Sequence, residues 1–392
     1  MTYNYPENVI KIAQILSVGG HRAYAVGGCM RDLIMGRTPN DWDMTTDCSP
    51  EDMIKIFDRA GVRTIPTGLK HGTVSILIDG EIYECTTFRI DGSYTDSRHP
   101  DAVTFTTDIT EDLRRRDFTV NAMAGDPLSK NGEIVDIFGG HEDIEKKIIR
   151  AVGDPERRFT EDALRILRAI RFATVLDFEI EEETKQAAIR LGERLSSVSA
   201  ERKSVELQKI LLSPYADRGI LLLLETVTAK YIHPDISMPR VSLSTLPCRF
   251  ETRLAALFKS VPSLSCMKLS NDISKAVKLL SDDALFDETV AKFENLDATA
   301  RLMLAKYGNL ATDAALLRGQ IELAEKVFSE SNKSPCIALR DLAVGGNDLI
   351  GAGIEAKKLG GIMSHLLLLV IEDQSLNQRN TLISIARDVA AR

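Results

Sequence analysis

Strand signals fill roughly the first 145 residues of this chain and then fade, and almost everything after them has helical periodicity. That segregation selects an α+β chain, with a mixed sheet and its helices in front and an all-α remainder behind. In the front part, residues 8–16 read as a helix that stops at Gly19-Gly20, and residues 23–26 as a short apolar strand running into Gly27-Gly28. Residues 31–35 start a helix that Gly36 breaks, and residues 41–45 form the next strand. Ser49-Pro50-Glu51-Asp52 is a helix start, with a capping hydroxyl, a proline in the first turn and acids near the positive end of the dipole. Residues 73–78 and 81–88 flank Asp79-Gly80, a strong hairpin signal. Residues 90–100 are polar and read as a loop. Beyond them, residues 160–173, 181–195 and 199–212 have helical spacing, with Thr160 as a cap, and residues 235–250 read as a linker or long loop.

At 392 residues, 44% of them hydrophobic, the chain is long enough for two or more domains. The six cysteines are scattered with no CxxC pair, so they read as reduced thiols of a cytosolic protein, and no zinc site is expected. The N-terminal residues lack a signal-peptide pattern, and the longest apolar run, 366–371, is too short to span a bilayer, so no membrane partner is expected. A net charge of −8 argues against a basic coat for nucleic acid but not against a local basic groove.

The densest chemistry lies at Asp41-Trp42-Asp43, a short way after Gly27-Gly28-Cys29-Met30-Arg31-Asp32. On a strand, Asp41 and Asp43 share a face while Trp42 points into the opposite layer. Two carboxylates so close repel unless one is protonated or a cation lies between them. Mg²⁺ suits such a pair, since it binds one or two carboxylates together with phosphate oxygens. The glycine pair lets backbone approach a phosphate, and Arg31 can neutralise it. Glu84 shares a strand face with Ile82, Thr86 and Phe88, and reads equally as a functional carboxylate or as an edge-strand charge.

Two further clusters follow. Arg114-Arg115-Arg116 precede Asp117, and three adjacent arginines need anionic partners, either a local acid or a nucleoside triphosphate. Asp117 and Asn121 are four apart, so on a helical turn they share a face, where they anchor the turn or bind a ribose hydroxyl. Further on, Asp162, Arg165, Arg168 and Arg171 recur at i+3. Taken alone that stripe reads as ordinary salt bridging on an exposed face. The alternative is recognition of a nucleobase edge, the carboxylate of Asp162 accepting from an exocyclic amine and Arg165 donating to ring nitrogen and carbonyl, with Arg168 and Arg171 facing phosphates.

In family order, VGGCMRDLIMGRTPNDWDM (26–44), TGLKHGTVSI (67–76), YECTTFR (83–89), DGSYTDSRHPDAVTF (91–105), EDLRRRDFTVNAMA (111–124) and RRFTEDALRILRAIRF (157–172) resemble the bacterial class II tRNA nucleotidyltransferases, the CCA-adding enzymes. The segment Ser199 to Arg202 with the later Glu206 matches a further family element, and residues 345–372 resemble the family tail more loosely. The resemblance implies a polymerase-β-like nucleotidyltransferase head (1–150), a helical neck that recognises nucleobases (151–215), a helical body (216–310) and a helical tail that binds tRNA (311–392). It implies that Asp41 and Asp43 hold catalytic Mg²⁺, with Glu84 as third carboxylate. Gly28, Arg31 and Arg116 match positions that contact the nucleotide, and Asp162 and Arg165 match the pair that serves as template for CTP and then ATP. Arg168 and Arg171 match nucleotide-contacting positions too, and residues 90–105 match the flexible element needed for the final adenosine. The substrates so implied are tRNA, CTP and ATP.

Trp42 stands where the family usually has a small aliphatic residue, and Arg98-His99-Pro100 where Arg-Arg-Pro is more common. His233-Pro234-Asp235 is no phosphohydrolase motif, and its histidine reads as a surface loop residue. Bacterial poly(A) polymerases share the head and most of these motifs. The 67–76 and 101–113 segments and the tail favour the tRNA enzyme, while addition of the final adenosine alone stays open.

Overall fold

The computed structural model describes residues 3–92 and 103–391, which form two compact units divided between Pro234 and Asp235. The division falls at the start of the linker-like stretch.

The first unit begins with α1 (Glu7–Val18), which buries Val9, Ile12, Ala13 and Leu16 along one side and ends at Gly19. β1 (Ala23–Val26) leads through Gly27 into α2 (Gly28–Ile34), and β2 (Asp43–Thr46) follows. In α3 (Pro50–Arg59) the Ser49 side chain accepts from the Asp52 amide at 3.2 Å and Pro50 occupies the first turn, as the sequence signal requires. Met53 and Phe57, one turn apart, are fully buried. β3 (Arg63–Gly68) and β4 (Thr73–Ile78) precede β5 (Glu81–Thr87). Asp79 (φ 51°) and Gly80 (φ 83°) are both left-handed, the backbone of the tight turn that joins strands with a right-handed twist.

A two-stranded ribbon, β6 (Arg89–Asp91) against β7 (Val103–Phe105), brackets residues 93–102, so most of the segment matched to the family's flexible element lies outside the described residues. α4 (Ile109–Arg114) leads to a single 3₁₀ turn (Thr119–Asn121), β8 (Ala124–Gly125) and β9 (Ile134–Val135). The sheet runs β3-β4-β5-β2-β1-β8-β9. It is mixed: β2 and β5 are parallel and the other neighbours antiparallel. With β4 on one side and β2 on the other, β5 is an interior strand, so the edge-charge reading of Glu84 fails.

Helices then take over, starting with α5 (Gly140–Glu145) and apart from the short parallel pair β10 (Ile148–Ile149) and β11 (Glu179–Ile180). The helix expected over 160–173 is two helices, α6 (Pro155–Glu161) and α7 (Leu164–Leu176). Asp154, not Thr160, caps the first, and Asp162 breaks the run with extended backbone (φ −143°, ψ 105°). Periodicity misses this break because the buried positions on either side stay in phase. α8 (Glu182–Leu191), α9 (Ala200–Leu211) and α10 (Ala216–Glu225) complete the unit. His233 is only 2% exposed, which corrects its reading as a surface loop residue.

The second unit is built of helices joined by loops, with no strand among its described residues. Within it, Arg301 is buried and donates to the carbonyls of Ile371 (2.6 Å) and Glu372 (2.8 Å) and to Glu330 (3.1 Å), tying the end of one helix to two others. Leu349, Leu366, Val370, Leu382 and Ala386 form its C-terminal core.

Candidate active site

The chemistry gathers where β2 and β5 run side by side. Asp43 and Glu84 are direct partners in the parallel register, and both are exposed on the same side of the sheet, while Met44 and Cys85 beside them are buried. β2 begins only at Asp43, so Asp41 lies in the preceding bend and not on a strand, which corrects the alternation argument. It still lines the same cleft as Asp43 and Glu84, together with Asn40, Trp42, Ile82 and Tyr83. The Trp42 ring lies 5.9 Å from that of Tyr5.

Burial raises the Asp43 carboxyl above its ordinary range; the Arg116 charge opposes this, while Glu84 and Asp41 push the same way. A cation between these carboxylates relieves that repulsion. Among the described residues no three carboxylate, imidazole or thiol groups lie close enough to hold a metal by themselves. A pair of carboxylates with room beside them fits a hard divalent cation that draws its remaining oxygen ligands from elsewhere.

The conformational demand of the glycine pair falls on Gly27, with φ 82°. A Cβ there would also lie 3.1 Å from Arg116 Nη1, so the turn and Arg116 are fitted to each other. Gly28 opens α2 with its Cα 's missing side chain facing Arg31, whose Nη2 would be 3.6 Å from a Cβ. Arg31 donates to Asp32 (2.9 and 2.8 Å) and, through Nη1, to the Asn121 side chain (2.8 Å).

The arginine triplet finds protein partners in the preceding turn. Arg114 pairs with Glu111 at 3.0 Å, Arg115 with Asp112 at 2.8 Å and Arg116 with Asp112 at 3.3 Å. Asp112 is fully buried; burial works against its charge, but Arg115 and Arg116 more than offset this and hold its carboxyl below the usual range. Arg116 Nε is buried and has no hydrogen-bond partner among the described residues, leaving one donor over beside Asp43. The i+3 and i+4 spacing of Asp112 to Arg115 and Arg116 is the sequence signal for this buried anchor.

Asp117 turns away from the triplet. Arg168 donates to it at 2.7 Å through Nε and 2.5 Å through Nη2, and Asn121 Nδ2 donates to it at 3.3 Å, so Asp117 and Asn121 anchor the turn. Burial alone would raise the Asp117 carboxyl; the charges of Arg168 and Arg165, with those hydrogen bonds, outweigh it and lower the pKa to about 2. Its stabilising contribution is therefore complete above the ordinary value of 3.8 and lost as pH falls from there toward 2. Asp117→Asn is expected to remove about 2 kcal/mol of acid-sensitive stability from that window. Urea midpoints at stepped pH check it: equal slopes for variant and parent would rule it out.

The i+3 stripe is not an exposed salt-bridge ladder. Arg171 binds Glu206 on α9 at 2.6 Å, Asp162 accepts from Arg202 on α9 at 2.8 Å, and Arg165 binds Glu161 at 2.9 Å and the Arg115 carbonyl at 3.0 Å. Each charge has a partner from another element or from the preceding turn, and the side chains of Asp162 and Arg165 are only 15% and 11% exposed. Arg202 lies in the segment matched to a family element, but its pairing with Asp162, forty positions earlier, is not visible from local spacing.

Similarity to known proteins gives the family. A model of the poly A polymerase head domain matches residues 23–150, and one of the probable RNA and SrmB-binding site of polymerase A matches 177–238. The CCA-adding enzyme of Levilactobacillus brevis is 34% identical over 393 aligned residues, covering 96% of each chain. The chain belongs to the CCA-adding enzyme family. A second member, from Anoxybacillus flavithermus, is 44% identical over 237 residues, 60% of this chain and 58% of its own. The crystal structure of the Bacillus stearothermophilus CCA-adding enzyme in complex with CTP superposes with a TM-score of 0.76 at 32% identity, covering 97% of this chain and 96% of that one. The family fold extends to the Thermotoga maritima CCA-adding enzyme complexed with tRNA, with a TM-score of 0.74 at 20% identity. No helix among the described residues is long and apolar enough to cross a membrane.

Proposed function

We infer that this chain is a tRNA nucleotidyltransferase that builds and repairs the 3′-terminal CCA of tRNA from CTP and ATP, releasing pyrophosphate. The observation that carries this reading is the pairing of Asp43 with Glu84 across parallel strands, with Asp41 on the same cleft and the spare donor of Arg116 beside it. Asp41 and Asp43 would hold Mg²⁺, and such an ion would lower the pKa of the 3′-hydroxyl and neutralise charge on the triphosphate. Arg31 and Arg116, carried by α2 and the turn after α4, meet the triphosphate. Asp162 and Arg165 read the base edge, and selection against GTP and UTP follows from buried groups that the wrong base leaves unpaired. Head, neck, body and tail divide near residues 150, 215 and 310, with tRNA held through its backbone by the helical parts. The cytoplasm suits a chain whose six cysteines form no disulfide among the described residues.

The test offers purified protein, with Mg²⁺ and labelled CTP, ATP or both, to tRNAs ending before the first terminal C, after the second C, and after the A. Two cytidines followed by one adenosine are expected, and the complete tRNA should gain nothing. Adenosine-only addition or long adenosine tails would overturn the reading in favour of a partial enzyme or a poly(A) polymerase.

A further inference from the structure

Phe172 is the one aromatic ring on the basic side of α7, and three guanidinium groups gather on it. Their central carbons lie 3.8 Å (Arg171), 5.3 Å (Arg168) and 5.5 Å (Arg31) from the ring centroid. The ring is 7% exposed and is itself fixed by Phe118, an edge-on neighbour at 5.7 Å between centroids. Each arginine has one acidic partner on its own side, Asp32, Asp117 and Glu206 respectively for Arg31, Arg168 and Arg171, and these partners come from three different elements. What the three cations share is Phe172. Like charges so close repel, and a ring face is the one neutral surface that attracts a guanidinium while leaving its in-plane N–H donors free for an anion.

We propose that Phe172 is a positioning residue for nucleotide binding: its ring holds Arg31 of the head and Arg168 and Arg171 of α7 as one cationic cluster for the triphosphate. The inference rests on the reading that these arginines meet the incoming nucleotide. An aliphatic residue of similar size keeps the packing against Phe118 but loses the attraction for the cations, so ground-state binding of the triphosphate suffers more than the chemical step.

The experiment compares Phe172→Leu and Phe172→Tyr with the parent in CTP and ATP incorporation, and measures calorimetric binding of inorganic tripolyphosphate to the full chain. For Phe172→Leu, KM for both nucleotides should rise about tenfold with kcat changed less than threefold, and tripolyphosphate affinity should fall by a like factor. Phe172→Tyr, which keeps the ring, should restore both. Equal losses in the two variants, or a fall in melting temperature with KM and tripolyphosphate affinity unchanged, would reduce Phe172 to a core residue and overturn the proposal. If the parent incorporates no nucleotide, the functional reading fails separately. The tripolyphosphate measurement then decides the proposal alone: a weaker Leu variant with a restored Tyr variant sustains it, and no difference overturns it.

Discussion

Asp43→Asn and Asp41→Asn should each lower CTP and ATP incorporation by about 10³-fold or more while tRNA binding persists. The amide keeps the shape of the side chain but removes the charge that holds a divalent cation, and charge stabilisation by such a cation is worth several kcal/mol in the transition state. The fold has no need of either carboxylate. Both are exposed toward the cleft, and β2 is held by what lies behind Asp43: Met44, Thr45 and Thr46 are buried. Burial and the neighbouring Glu84 and Asp41 already disfavour the charged form of Asp43, so its amide should leave the melting temperature unchanged or higher. Lost activity in a protein of undiminished stability separates a functional carboxylate from a structural one. Single-turnover incorporation, a filter-binding measurement with tRNA and a melting curve test this together. Activity within tenfold of the parent in Asp43→Asn would remove the carboxylates from the mechanism.

The parts of this site that the sequence revealed are those set by local rules. The capping hydroxyl of Ser49 and the Asp79-Gly80 turn each depend on residues within a few positions of one another, and the structure has them where those rules put them; alternation fails at Asp41 only because the strand begins two residues later. Asp117 with Asn121 is of the same kind, since the four-residue spacing brought them together as a turn anchor. The long-range pairings are different. Which strand neighbours β2 is decided by a crossover, so nothing near Glu84 in sequence says that it will stand beside Asp43 or that β5 is an interior strand. The arginines of α7 looked like a ladder because i+3 spacing is all that a single helix shows. Their real partners, Asp117, Glu206 and, for Asp162, Arg202, arrive from other elements. The break at Asp162 escaped for a related reason: a helix interrupted without loss of phase leaves no trace in a periodic pattern.

That break shapes the second large effect, on which nucleotides are accepted. With α6 ended at Glu161 and α7 begun at Leu164, Asp162 is free of helical geometry. Its Oδ1 accepts from the Leu164 amide at 3.0 Å, and its Oδ2 from Arg202. Arg165, one turn on, is held by Glu161 and by the carbonyls of Arg115 and Arg158. Both groups are thus fixed in place before a base arrives, and a base edge that matches them meets donors and acceptors whose ordering cost is already met. A base with the opposite pattern leaves a mostly buried carboxylate or guanidinium facing a like group. A well-placed polar pair of this kind discriminates by about 1–3 kcal/mol, roughly 5- to 150-fold. Asp162→Ala and Arg165→Ala should therefore each narrow the preference for CTP over UTP by about that factor, and the double variant by more than either alone. Asp112, which anchors the neighbouring arginines, is untouched, so the triphosphate subsite survives and total incorporation falls less than selectivity does. Competition between labelled CTP and UTP on a tRNA lacking all three terminal nucleotides measures the ratio directly. A ratio equal to the parent's in the double variant would mean that Asp162 and Arg165 serve only to join α6 to α9 and that base selection lies elsewhere.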